Sequence, residues 1–143
     1  MTGYNKVFLD TTPLIYFLDN DINFGIKSKN IFENILSNQK EIVTSAITVN
    51  EYLVYPYRTG NHEKINALYD FISDCGIKVY PITVEIADKA ARIRAEYTSF
   101  KGMDALQLAA ACNCGCDVFL TNDKQLKQFN EVKCITVEEW NID

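Results

Sequence analysis

Five short runs that read as strands, the first four separated by longer stretches of helical periodicity and the last two by a turn into a short helix, constrain this chain more than any other feature. The runs occupy residues 7–9, 41–44, 77–82, 118–121 and 132–137. Between them, residues 26–37, 46–57, 62–75, 83–97 and 103–113 carry apolar side chains at helical spacing. Strands that alternate with helices predict an α/β fold: three α/β/α layers around a central, mainly parallel five-stranded sheet. Right-handed crossovers then deliver the carboxyl end of every strand to one rim. A length of 143 residues, without internal repeat or linker, predicts one domain over residues 1–143.

The first run reads Val7-Phe8-Leu9-Asp10-Thr11-Thr12. It predicts a strand, a sharp turn and a helix, with Thr12 as N-cap and Pro13 in the first helical turn. Asp10 then stands at the strand's carboxyl end, where open α/β sheets bind ligands. Later punctuation is also readable. Pro56 should end or kink its helix, Pro81 marks a strand end or sheet edge, Thr83 reads as an N-cap, and Trp140 falls in a brief terminal helix.

Composition narrows the class. A hydrophobic share of 48% supports a folded core. No apolar run approaches the roughly 18 residues of a membrane span. The polar residues 1–6, with only three apolar residues before Asp10, do not make a signal-peptide core, so the expected location is the cytoplasm. A net charge of −5 argues against a broad basic sheath on nucleic acid but allows a local basic edge. The cysteines are Cys75, Cys112, Cys114, Cys116 and Cys134, an odd count that predicts free thiols. Zinc at Cys112-Asn113-Cys114-Gly115-Cys116 would need a fourth ligand, and His62, the one histidine, is far off in sequence. Small buried thiols at a helix-to-strand junction account for the cluster.

Four acids fall where strands hand over to helices or in a helix's opening turn: Asp10, Glu51, Asp104 and Asp123. Each has a structural role open to it. Asp10 can form an Asx-turn, and Glu51 can close a capping box with Thr48. Asp104 can answer its helix dipole, and Asp123 can cap the short helix after it. Gathered on one rim, however, four carboxylates repel one another. A hard divalent cation such as Mg²⁺ or Mn²⁺ removes that cost, because it prefers oxygen ligands and needs only a few carboxylates. The chemistry implied is metal-assisted hydrolysis of a phosphate ester.

The segments Phe8-Leu9-Asp10-Thr11, Thr48-Val49-Asn50-Glu51-Tyr52-Leu53, Met103-Asp104-Ala105-Leu106-Gln107-Leu108-Ala109-Ala110-Ala111 and Phe119-Leu120-Thr121-Asn122-Asp123, in that order, resemble the PIN-domain ribonucleases. The set is most similar to VapC-type toxins of prokaryotic toxin–antitoxin pairs. The resemblance covers nearly the whole chain. It implies a five-stranded parallel sheet and a Mg²⁺- or Mn²⁺-dependent endoribonuclease. It carries metal binding and catalysis onto Asp10 and Asp104 first, then Glu51 and Asp123, and supporting hydrogen bonds onto Thr11, Thr121 and Asn122. It also implies an RNA substrate, a homodimer, and an antitoxin whose peptide blocks the pocket. One departure stands out: many relatives carry a further acid two residues past Asp123, where this chain has Gln125. That leaves a second ion one ligand short.

Lys89, Arg92, Arg94 and Lys101 precede the Asp104 helix and are candidates for RNA phosphates or an acidic antitoxin, beside the plainer reading of a solvated face. Tyr16, Tyr52, Tyr55 and Tyr57 are candidates for base stacking or for core and dimer contacts. Other folds with acids at a rim fit poorly. A haloacid-dehalogenase-type phosphatase needs a second Asp where Thr12 stands. A response-regulator receiver needs an acid after the third strand, where the chain reads Tyr80-Pro81-Ile82-Thr83. No glycine-rich phosphate loop is present. The remaining rival is a PIN-like fold kept as a binding module with catalysis weakened.

Overall fold

Successive residues of a strand point to opposite faces, and here both faces are apolar. Val7 and Leu9 join one buried cluster while Phe8 joins the other, and Val118, Phe119 and Leu120 alternate in the same way. A sheet buried on both sides follows. The computed structural model describes residues 3–142. Its strands are β1 (Lys6–Leu9), β2 (Glu41–Ser45), β3 (Lys78–Tyr80), β4 (Val118–Thr121) and β5 (Lys133–Thr136). All neighbours pair in parallel, in the order β3-β2-β1-β4-β5. The helices are α1 (Thr11–Leu18), α2 (Gly25–Ser37), α3 (Ala46–Thr59), α4 (His62–Asp74), α5 (Val84–Glu96) and α6 (Gly102–Asn113), with a 3-10 turn over Lys124–Gln128.

Helices α1 to α4 cover one face, burying Leu14, Ile31, Ile35, Leu68 and Phe71 against Val7, Leu9 and Leu120. Helices α5 and α6 cover the other. There Ala105, Ala109, Ala110 and Ala111 of α6 are fully buried and bring the helix backbone close to the sheet. Phe8 stacks on Phe119 with ring centroids 5.3 Å apart, which locks the two central strands together on that face. No helix among the described residues is long and apolar enough to cross a membrane.

Several local expectations need correcting. Asp10, not Thr12, caps α1: its carboxylate takes the Thr11 amide, so the helix starts one residue after the acid. Pro13 falls third in the helix, where the amide has no intrahelical partner to lose. Ser45 caps α3, and Thr48 lies inside that helix, so no capping box forms with Glu51. Pro56 lies inside α3 and does not end it. The helix continues to Thr59, whose hydroxyl donates to the Tyr55 carbonyl, and Gly60 in the left-handed region (φ 63°) terminates it. Asn61 caps α4 and leaves His62 exposed as its first residue. Trp140 is buried, but the chain before it forms a single turn, closed by the Trp140 amide on the Thr136 carbonyl, and not a helix. Pro81 lies just past β3, the edge strand, and Thr83 caps α5 through the Ile86 amide, both as the sequence predicts.

Candidate functional site

The sheet's strand order changes direction between β1 and β4, and such a switch point is where a parallel sheet leaves a crevice. Asp10 ends β1 and Asp123 follows β4, so the two acids flank it. The Asp10 amide extends the ladder by donating to the Leu120 carbonyl at 3.0 Å. Its carboxylate, only 8% exposed, accepts from the Thr11 amide (2.9 Å) and the Thr121 hydroxyl (2.8 Å). Thr121 Oγ1 in turn accepts the Asp123 amide at 3.1 Å, so one hydroxyl sets both acids.

Helix α3 leaves the same rim after β2 and brings Glu51, whose Oε1 accepts the Thr11 hydroxyl at 2.7 Å. Asp104 occupies the first turn of α6. Asp123 caps the 3-10 turn by accepting the Gln125 amide at 3.0 Å. All four acids line one cleft of about 730 Å³, in which Lys101 is the single cationic lining residue among the described residues. Of the structural roles open to these acids, capping is real for Asp10 and Asp123, Asp104 does face its helix's positive end, and the Glu51 capping box is absent.

The acids feel one another. Burial pushes the Asp10 carboxyl up to about 6 from 3.8; the bonds from Thr121 and Thr11 pull it back, and the charges of Asp104 and Glu51 raise it further. Asp104 is also raised, first by burial, then by Asp123 and Glu51, with Lys101 opposing. None of the four makes an ion pair among the described residues. The cleft thus concentrates negative charge that Lys101 offsets only in part.

The donor set tests what could sit there. Carboxylate and hydroxyl oxygens suit Mg²⁺ or Mn²⁺ and exclude a site built for zinc, since no His or Cys lines the cleft. Among the described residues, no three His, Cys, Asp or Glu side chains close tightly enough on one point to hold an ion by themselves. That spacing suits a cation that keeps several waters and takes one or two carboxylates directly, as Mg²⁺ does. The residues present fit such an ion.

The other candidate residues divide. Lys101 lines the cleft, and the Arg94 guanidinium lies beside Gly102 on its edge, 3.6 Å from where a Cβ would stand. Lys89 and Arg92 lie elsewhere, on a small depression of α5, each held by an acid: Lys89 by Glu131 and Arg92 by Asp88, both at 2.8 Å. Asn122 points to α1, donating to the Tyr16 hydroxyl at 2.5 Å, and does not line the cleft. Tyr52 is buried and donates to Asp19, while Tyr55 and Tyr57 are exposed. The cysteines are free, and burial pushes Cys116 and Cys134 up to about 12. Cys112 and its neighbours lie at the far end of α6 from Asp104, about 12 Å along the axis at 1.5 Å per residue. Ile15, Met103 and Leu106 give the cleft an apolar wall that the sequence did not assign to it, since apolar residues on a helix read first as core positions.

The fold recurs in solved structures. A chain of VapBC2 from Rickettsia felis, bound to a DNA fragment of its promoter, superposes with a TM-score of 0.76 at 16% identity, covering 92% of this chain and 98% of that one. DNA-bound VapBC from Salmonella typhimurium gives 0.73 at 22% identity, covering 93% and 98%. Mycobacterium tuberculosis VapC20, a sarcin-ricin loop cleaving toxin, gives 0.66 at 17% identity, covering 89% and 98%. No curated protein sequence matches the chain. The family model of the PIN domain matches residues 7–132, a span that starts in β1 and takes in the four acids of the cleft. With that match, the β3-β2-β1-β4-β5 sheet and the acids at its switch point, the chain belongs to the PIN domain family.

Proposed function

We propose that this protein, a single PIN-like domain over residues 1–143, is a metal-dependent endoribonuclease and the toxin of a type II toxin–antitoxin pair. The observation that carries the reading is the cleft itself: four carboxylates line it, burial and neighbouring acids raise Asp10 and Asp104, and Lys101 offsets that charge only in part. Asp10, Glu51, Asp104 and Asp123 would hold Mg²⁺ or Mn²⁺. Such an ion supplies positive charge to a phosphodiester oxygen and lowers the pKa of an attacking water.

The chain's own residues prepare the site. Thr11 and Thr121 fix the two oxygens of Asp10, and Thr11 also orients Glu51. Lys101, with Arg94 behind Gly102, offers the positive edge an RNA phosphate needs in a protein of net charge −5. The VapBC structures support a cognate antitoxin as partner, and VapC20 supports RNA cleavage. A homodimer and a cytoplasmic location complete the reading.

A second reading has one specific observation behind it. The absence of a tight three-carboxylate shell among the described residues, with Gln125 where a further acid is frequent in the family, favours a PIN fold kept as an RNA- or protein-binding module. Cleavage of single-stranded RNA separates the two. The nuclease cuts RNA with Mg²⁺ or Mn²⁺ and stops on addition of EDTA. RNA binding without cleavage in either metal identifies the module, and cleavage undiminished in EDTA contradicts the metal-dependent mechanism.

A further inference from the structure

We propose that Gln107 is a positioning residue for the carboxylate cleft, holding the first turns of α6 and α3 at the spacing a shared cation requires; this rests on the reading of the cleft as a cation site. Gln107 follows Asp104 by one helical turn and is 1% exposed, in a helix whose other buried residues are alanine and leucine. A primary amide buried there is costly unless both of its ends are bonded. Both are. Ser45 Oγ donates to Gln107 Oε1 at 2.5 Å, and Gln107 Nε2 donates to Thr48 Oγ1 at 2.7 Å.

Counting protons fixes the direction of the remaining bonds. Thr44 Oγ1 lies 2.6 Å from the Leu9 carbonyl, which can only accept, so the single Thr44 proton goes there. Thr48, 2.8 Å from Thr44, therefore donates to it and receives the amide proton of Gln107. Ser45 Oγ accepts the Ile47 amide as the cap of α3, which frees its own proton for Gln107. The result is a one-way relay from Gln107 through Thr48 and Thr44 to the Leu9 carbonyl.

Three of the four stations adjoin an acid of the cleft. Gln107 is three residues after Asp104, Thr48 is three before Glu51 on the same helix face, and Leu9 immediately precedes Asp10. Thr48 Oγ1 also lies 3.4 Å from Thr11 Oγ1, whose proton is spent on Glu51. A leucine at 107 would fill the same space without directional bonds. The amide ties α6, α3, β2 and β1 together directly behind three of the four carboxylates, yet touches none of them.

The test uses Gln107→Met, which keeps length and removes both bonds, and Thr48→Val, which keeps shape and removes the hydroxyl. Thr48→Ser restores the hydroxyl. Mn²⁺ affinity is read by calorimetry without RNA, and kcat and KM are measured separately. Positioning predicts a loss of Mn²⁺ affinity of about 10- to 100-fold in Gln107→Met and Thr48→Val, the range for outer partners of metal ligands. It also predicts a lower kcat with an unchanged KM for RNA, and recovery in Thr48→Ser. A folded Gln107→Met protein that binds Mn²⁺ as the wild type does overturns the inference while leaving the cation site standing. A wild type that binds no Mn²⁺ removes the cation site and the inference together. If Gln107→Met fails to fold, the Thr48→Val and Thr48→Ser pair decides on the same readout.

Discussion

Asp10→Asn and Asp104→Asn each abolish metal-dependent RNA cleavage, a fall expected to exceed the roughly 10- to 100-fold typical of outer partners, with the fold unchanged. The substitution isolates charge. Asparagine caps a helix as well as aspartate, so the Asp10 bond to the Thr11 amide survives the change. What disappears is the anionic oxygen held by the Thr121 hydroxyl and facing the cleft. At Asp104 no capping bond is at stake, since α6 begins without a side-chain cap. Rates are compared under saturating Mg²⁺, with circular dichroism to verify folding. A variant that cleaves at the wild-type rate removes that residue from the ligand set.

The second large effect concerns stability without metal. The Asp10 carboxyl titrates near 6 in the folded protein against 3.8 in the unfolded chain. An acid with a raised folded pKa holds its proton longer in the native state, so the contribution of Asp10 to stability is greatest below pH 4 and falls as pH rises toward 6. A difference of about two pH units corresponds to about 3 kcal/mol at neutral pH. Asp10→Asn removes that penalty but weakens the Thr121 bond, worth about 1 kcal/mol, so a net gain of about 1–2 kcal/mol is expected in EDTA at pH 7. The variant should also flatten the wild-type decline between pH 4 and 6. Urea unfolding at several pH values measures both. A loss above about 2 kcal/mol would mean that Asp10 serves the fold as a cap first, since capping contributes up to that size. Burial and the neighbours Asp104 and Glu51 all act in the direction stated.

Much of this architecture was legible because its signals are local. The apolar run before Asp10 needed no partner to be read as a strand, and Pro81 and Thr83 marked an edge and a cap by their own chemistry. The acids were legible as a set because topology alone sends strand ends to one rim. What the sequence hid depends on contacts distant in the chain. Ser45 and Thr48 are equally good caps on paper, but Ser45 ends β2, in register with Tyr80 of β3, and it is Ser45 that takes the Ile47 amide. Gln107 gave no signal, because a lone glutamine in an alanine-rich helix reads as a surface position until Ser45 and Thr48 are placed against it. Lys89 and Arg92 look like partners for phosphate in sequence. Glu131, 42 residues from Lys89, claims one of them, and Asp88, a helical turn before Arg92, claims the other.

Anomalous diffraction from crystals soaked in Mn²⁺ tests the shared cation most directly. The account predicts a manganese peak in the cleft between Asp10 and Asp104, lost in Asp10→Asn. A cleft without manganese at a concentration that supports cleavage, or manganese bound only elsewhere, would contradict it.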